Sequence, residues 1–168
     1  MLRAGQCLLL VCTGGLDDAV RVNPLRVQYL YFATVDMRSK KKILFVCIEN
    51  SNRSQMGQAF AIMYGGDRVE AYSAGSKPSG FINTKAMAAM NELGYDLGRH
   101  FSKSLNEVKQ FAPFDVVVTM GCGDACPWMP AQGFVDWQIP DPRDMNESDF
   151  RNVRDVIGKK VKMLVDSL

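Results

Sequence analysis

Histidine is almost missing from this chain. His100 is the only one in 168 residues. A zinc site needs about four ligands, so it would have to be assembled from His100 and cysteines, and no metal is expected. Charge of one sign is lacking too. The 20 Lys and Arg against 18 Asp and Glu leave a net +2, without the basic field of a nucleic-acid binder. No apolar run reaches the roughly 18 residues of a membrane helix. The short run Cys7–Cys12 is brief for a signal segment and no small-residue cleavage site follows it. Five cysteines, an odd number, fit a disulfide scaffold poorly, so reduced, cytosolic thiols are the expectation. Repeats and low-complexity segments are absent. What remains, 47% hydrophobic and 23% charged residues, is ordinary for a soluble chain with one real core.

The texture changes near Met37. Residues 1–36 hold no Lys and no Glu, and their three Arg and three Asp cancel. Apolar clusters there, Leu8–Val11 and Val27–Phe32, show no sustained period. Met37 is read as the natural start, with 1–36 as an upstream extension or a poorly ordered tail. The rival is an added strand–helix element or a targeting segment. From the basic run Arg38–Lys42 onward, strands and helices alternate. Ile43–Cys47 reads as a buried parallel strand, and Arg53–Tyr64 as a helix with Met56, Phe60 and Met63 on one face, ended by Gly65-Gly66. Val69–Ser73 is a strand, and Asn83–Leu93 a helix with Ala86, Met90 and Leu93 aligned, stopping at Gly94. Ser104–Phe111 is a short helix, Phe114–Met120 a strong buried strand and Phe134–Ile139 a fourth strand. Asp149–Leu168 closes the chain as an amphipathic helix, with Phe150, Val153, Ile157, Val161 and Leu164 aligned. The fold class is α/β: a single domain over 37–168, with a four-stranded parallel sheet covered by helices on both faces. Ligands of such sheets bind at the carboxyl ends of the strands.

The loop Cys47-Ile48-Glu49-Asn50-Ser51-Asn52-Arg53-Ser54 lies between a buried strand and a helix N-terminus. A helix start presents unpaired N–H groups and the positive end of its dipole, so the turn before it cradles an oxyanion. Arg53 forks two donors onto a tetrahedral anion, a geometry lysine lacks. The same positive field stabilises a thiolate, so Cys47 is expected to be ionised at neutral pH beneath the bound anion. Ser54 is placed to donate to the sulfur, and Asn50 tolerates left-handed backbone. A lone Cys ending a buried strand is ordinarily a small hydrophobe; the strand–loop–helix setting of C-x5-R-S distinguishes this one. Asp141, between Pro140 and Pro142 after the last strand, is a candidate general acid to a leaving oxygen. Alone it would read as a turn aspartate.

Val46-Cys47 through Ser54-Gln55-Met56, Ser73-Ala74-Gly75, Val117–Thr119 and Asp141-Pro142, in that order, resemble the low-molecular-weight protein tyrosine phosphatases and the arsenate reductases that share their fold. The likeness runs from about Lys41 to the C-terminus. It implies Cys47 as nucleophile, Arg53 as oxyanion clamp, Asn50 and Ser54 as loop-ordering and thiolate-stabilising groups, and Asp141 as acid. Residues 47–54 would bind the oxyanion, with Ser73, His100 and Lys103 in support.

Gly121-Cys122-Gly123-Asp124-Ala125-Cys126 decides between the two activities. Arsenate reduction takes two electrons, so a second thiolate must attack the first adduct and leave a disulfide. Cys47, Cys122 and Cys126 supply three thiols, and thioredoxin-coupled arsenate reductases carry their resolving pair in this loop. The glycines give the loop freedom to move. The chain is therefore read as an arsenate reductase that needs no tightly bound cofactor and takes electrons from thioredoxin or a similar dithiol protein. It is expected to be cytoplasmic and monomeric, with no nucleic-acid or membrane partner and some residual phosphatase activity. The alternative is a phosphatase acting on phosphomonoesters through Cys47, Arg53 and Asp141. A third reading, a non-catalytic adaptor, leaves the reactive set unexplained. The sequence departs from the family pattern in several places. The resolving pair is a tight C-x3-C, Asn52 stands where many members have another cysteine, and Asp141-Pro142 runs into Arg143-Asp144 rather than tyrosines. Some reductases hold potassium near the loop; here Gln58 and Lys103 occupy ligand positions, so no ion is expected and Lys103 is read as supplying the charge. His100 is read as structural, Trp137 as packing, Trp128 as part of a docking surface, and Met56, Met63, Met87 and Met90 as core.

Overall fold

The computed structural model describes residues 39–121 and 128–168. The boundary expected near Met37, Cys7 and Cys12, and the pair Cys122 and Cys126 lie outside the described residues.

Lys41–Cys47 forms β1, the most buried strand, and its side chains alternate between two cores. Ile43, Phe45 and Cys47 enter one cluster, while Leu44 and Val46 enter the other. That is the period-2 geometry of a strand covered on both faces. Val69–Gly75 (β2), Phe114–Thr119 (β3) and Ala131–Asp136 (β4) complete a parallel sheet of order β2-β1-β3-β4. Arg53–Gly65 (α1), Thr84–Asn91 (α2) and Glu147–Asp166 (α4) pack on the larger cluster, through Met56, Phe60, Met90, Phe150 and Ile157. The one-turn helix Leu105–Val108 (α3) and its 3₁₀ extension, Lys109–Phe111, cover the other face with Leu105 and Val108. Both faces are covered, as expected, though unequally.

The chain leaves β1 toward β2 on one side and later returns to β3 on the other. The carboxyl end of β1 is therefore the switch point where open sheets bind ligands. Cys47 is its last residue.

Three expectations need correction. The fourth strand runs over Ala131–Asp136, not Phe134–Ile139. Its ladder with β3 ends at Thr119↔Asp136, and Trp137 and Ile139 owe their apolar character to burial in the core beyond the strand. Met63 is 39% exposed and not core. Ile62 and Tyr64 are equally exposed, so the last turn of α1 runs past the packed layer. Leu93 is 41% exposed because α2 ends at Asn91; Gly94 is left-handed, at φ 78°, in the turn that follows. Met87 is half-buried against the core, and Trp137 packs on Phe45 with ring centroids 6.1 Å apart.

Candidate active site

The loop after β1 is turned inside out by its neighbours. Ser76, Lys77, Ser79 and Asn83 donate backbone N–H groups to the carbonyls of Cys47, Ile48, Glu49 and Ser51. The Gln55 amide reaches the carbonyl of Asn50 at 3.1 Å. With five consecutive carbonyls held on the outer side, trans peptide geometry turns the N–H groups of residues 48–52 inward. Asn50 makes the tight reversal at φ 50°. Gly75 at the end of β2 lets the loop lie close: a Cβ there would stand 2.5 Å from the Ile48 carbonyl oxygen. Helix α1 starts at Arg53 with no side-chain cap from Asn52, which leaves its first N–H groups free for a ligand.

Behind the sulfur runs a chain of neutral hydrogen bonds whose direction follows from donor and acceptor inventory. The Gln55 Nε2 donates to Asn50 Oδ1 and to the Phe101 carbonyl, so its Oε1 accepts from His100 Nδ1 at 3.0 Å. His100 Nε2 is then an acceptor, and the Tyr95 hydroxyl donates to it at 2.9 Å. Asn50 Nδ2 donates to Ser54 Oγ at 2.8 Å, which frees the Ser54 proton for Cys47 Sγ at 3.0 Å. Along the chain each side chain from Tyr95 onward passes one donor toward the sulfur, and Gln55 Nε2 also serves the Phe101 and Asn50 carbonyls. Burial first, and then the Lys103 charge, push the His100 pKa down to about 4, so the imidazole is neutral at physiological pH, as this chain requires.

The mouth of the cradle is charged. Arg53 is only 4% exposed. Its Nη1 donates to the Ile139 carbonyl at 2.9 Å and its Nη2 to Asp141 Oδ2 at 3.0 Å. Among the described residues its Nε is buried without a partner, and a buried unpaired donor at this place is suited to an anionic ligand. Gly121, at φ 70°, makes way for the guanidinium; a Cβ would lie 2.8 Å from Nη1. Cys47, Glu49, Ser51, Asn52, Arg53, Asp141 and Arg143 enclose about 10 Å³, room for roughly one water. A wider cleft of about 290 Å³, between α2 and α4, is lined by Lys85, Glu92, Glu147 and Arg151 and holds none of these groups.

Lys103 lies beside the loop. Its backbone N–H donates to Asn50 Oδ1, and its ammonium donates to Ser73 Oγ at 3.3 Å and the Phe101 carbonyl at 3.1 Å. Ser73 in turn donates to Gln58 Oε1 at 2.6 Å. Burial lowers the Lys103 pKa to about 8. Thus the structure brings together residues 47–54, Asp141, Ser73, His100 and Lys103. Gln55, Tyr95 and the Glu49–Arg143 pair escaped sequence reasoning. The one available signal was a glutamine in the first turn of a helix whose later turns are largely apolar. Among the described residues, no cluster of three or more His, Cys, Asp or Glu is arranged to hold a metal.

Residues 42–168 match the family described as low molecular weight phosphotyrosine protein phosphatase. An arsenate reductase of Halalkalibacterium halodurans is 39% identical over 140 residues, which cover 77% of this chain and 98% of that protein. A solved arsenate reductase in its phosphate-binding state superposes with a TM-score of 0.68 at 33% identity, over 76% of this chain and 98% of that one. A thioredoxin-dependent arsenate reductase of Corynebacterium glutamicum superposes with a TM-score of 0.63 at 31% identity, over 84% of this chain and 69% of the other.

Proposed function

The chain belongs to the low molecular weight phosphotyrosine protein phosphatase family, and on that premise we propose that it reduces arsenate to arsenite through a cysteine relay fed by thioredoxin or a similar dithiol donor. The observation that carries the reading is an anion cradle around Cys47 combined with two further cysteines, Cys122 and Cys126, directly after β3. The names of the similar proteins support it.

In the proposed sequence the amides of residues 48–52 and Arg53 hold three arsenate oxygens. The Cys47 thiolate forms a bond to arsenic while the fourth oxygen takes a proton from Asp141 and leaves as water. The Cys122 thiolate then attacks the Cys47 sulfur. The sulfur–arsenic bond breaks, its electron pair stays on arsenic, As(V) becomes As(III), and arsenite departs from a Cys47–Cys122 disulfide. Cys126 attacks Cys122, freeing Cys47 and moving the disulfide to the Cys122–Cys126 pair. The external dithiol returns the two electrons, so no tightly bound cofactor is required. The Lys103 ammonium supplies a cation beside the loop, and the rate is expected to be independent of potassium. A cytoplasmic monomer completes the proposal; among the described residues no helix is long and apolar enough to cross a membrane.

Phosphate is nearly isosteric with arsenate, so weak ester hydrolysis is expected as well. The test runs arsenate-dependent NADPH oxidation, with thioredoxin and thioredoxin reductase, beside p-nitrophenyl phosphate hydrolysis. Sustained oxidation that stops in Cys122→Ser supports the relay. Brisk ester hydrolysis without arsenate-driven oxidation, under several dithiol donors, makes the protein a phosphatase instead.

A further inference from the structure

We propose that Glu49 and Arg143 are a specificity-determining pair, a charge-neutral wall that admits a bare tetrahedral oxyanion to the cradle and rejects its aryl ester. The proposal rests on the oxyanion reading given above and says which member of that substrate class the mouth accepts.

Glu49 is chemically out of place. Arg53 and the inward-facing amides of the loop attract an anion, and a carboxylate at its rim repels one. Its backbone is fixed, because its carbonyl accepts from the Ser79 N–H at 3.0 Å and the Ser102 hydroxyl at 2.9 Å. The side chain is answered by Arg143, whose Nη2 lies 2.5 Å from Glu49 Oε1. Arg143 also braces the candidate acid: its N–H donates to Asp141 Oδ1 at 3.2 Å, and its guanidinium stands 4.0 Å from Oδ2. The far side of this segment is anchored by Lys85, whose ammonium donates to the carbonyls of Arg143 at 3.3 Å and Met145 at 2.7 Å. A bridge therefore runs from the loop, across the mouth, to the acid.

The consequences differ for the two kinds of ligand. An inorganic oxyanion needs Asp141 to release Arg53, a side-chain rotation about a half-exposed carboxylate. An aryl ester needs more, because its bridging oxygen must lie against the acid and its ring must extend outward from there. That corridor is spanned by the Arg143–Glu49 bridge. Among the described residues that line the mouth none is aromatic, so a ring entering there would displace an ion pair and rest on charged groups. Arg143 thus both blocks the corridor and neutralises the carboxylate that would otherwise face a dianion.

The test uses the full chain, Arg143→Ala and the double variant Glu49→Gln/Arg143→Ala. Phosphate affinity is read as the concentration that protects Cys47 from iodoacetamide, followed on that residue by mass spectrometry. Ester turnover is read with p-nitrophenyl phosphate. Arg143→Ala is expected to weaken phosphate binding at least tenfold by leaving Glu49 unpaired. The double variant is expected to recover most of that loss and to hydrolyse the ester with kcat/KM at least tenfold above the parent. If the ratio of ester kcat/KM to phosphate affinity stays within twofold of the parent in both variants, the pair selects nothing and the proposal is overturned. If phosphate fails to protect Cys47 in the parent, the oxyanion reading itself falls, and the selectivity proposal with it.

Discussion

Beneath Cys47, the cradle is held by Asn50, Ser54, Gln55 and His100, side chains that are neutral and joined by bonds of fixed direction. Around its mouth stand Glu49, Arg53, Asp141 and Arg143, all charged and joined by ion pairs. The difference follows from where water is. An ion taken out of water costs several kcal/mol unless it is fully paired, so the buried side is built from dipoles, which hold one geometry without that penalty. At the mouth, solvent screens the charges and an ion pair is worth about 0–1 kcal/mol, so a pair there can be exchanged for an anionic substrate. Arg53 belongs to both sides. Its shaft is buried, while one nitrogen reaches the half-exposed Asp141.

Arg53→Lys breaks the comparison most sharply, because it keeps the charge and removes the fork. Losing a preorganised donor at an oxyanion typically costs about 10²–10³-fold in rate, and that loss is expected in arsenate-dependent thioredoxin oxidation. Retention of activity within tenfold would mean that the mouth works by charge alone.

Asn50 tests the buried side. Asn50→Ala removes the acceptor shared by Gln55 and Lys103 and the donor to Ser54, and it places alanine at φ 50°. The expected cost is about 2–4 kcal/mol of stability and, through a misplaced thiolate, about 10–100-fold in turnover. Asn50→Gly accepts the backbone angle without restoring the bonds. Urea unfolding should therefore recover in part in the glycine variant, by the strain component, while the rate does not. Equal recovery of both would reduce the hydrogen-bond chain to a turn requirement.

The charged mouth and the neutral floor were not equally legible in the sequence. Cys47, Arg53 and Ser54 are read from a contiguous loop between an apolar strand and a helix start, where local chemistry decides the outcome. The strands β1 and β3 are continuous runs of branched and aromatic residues, which only burial on both faces explains. The partners of the loop come from far along the chain. Gln55 meets His100, and Glu49 meets Arg143, only because the sheet order brings the loops after β1, β2 and β4 to one end. No local pattern encodes such a meeting. Arg143 looks like a solvated turn residue, and Gln55 like the polar side of a helix, although it is fully buried. The displaced fourth strand has the same origin: Trp137 and Ile139 are apolar because of the core they enter, not because of a ladder.

The smallest expected effect is a pH dependence that the buried side confers. His100 has its pKa pushed down to about 4 by burial, with Lys103 lowering it further and Asp96 opposing, while an unfolded histidine titrates near 6.5. Between these values the unfolded chain binds a proton that the folded chain does not. Stability from this group is complete above pH ~6.5, is lost as pH falls toward ~4, and then levels off, because below that point both states are protonated. Protonation would make Nε2 a donor where it now accepts from Tyr95, so the hydroxyl would have to turn away. With the partly exposed ring discounted for solvent screening, the loss is on the order of 1–2 kcal/mol. His100→Gln removes the titration, so its urea midpoint should fall less than the parent's between pH 7 and 4.5. Parallel curves for the two proteins would mean that the imidazole takes up its proton without disturbing the chain, and that the neutral floor does not depend on His100 staying neutral.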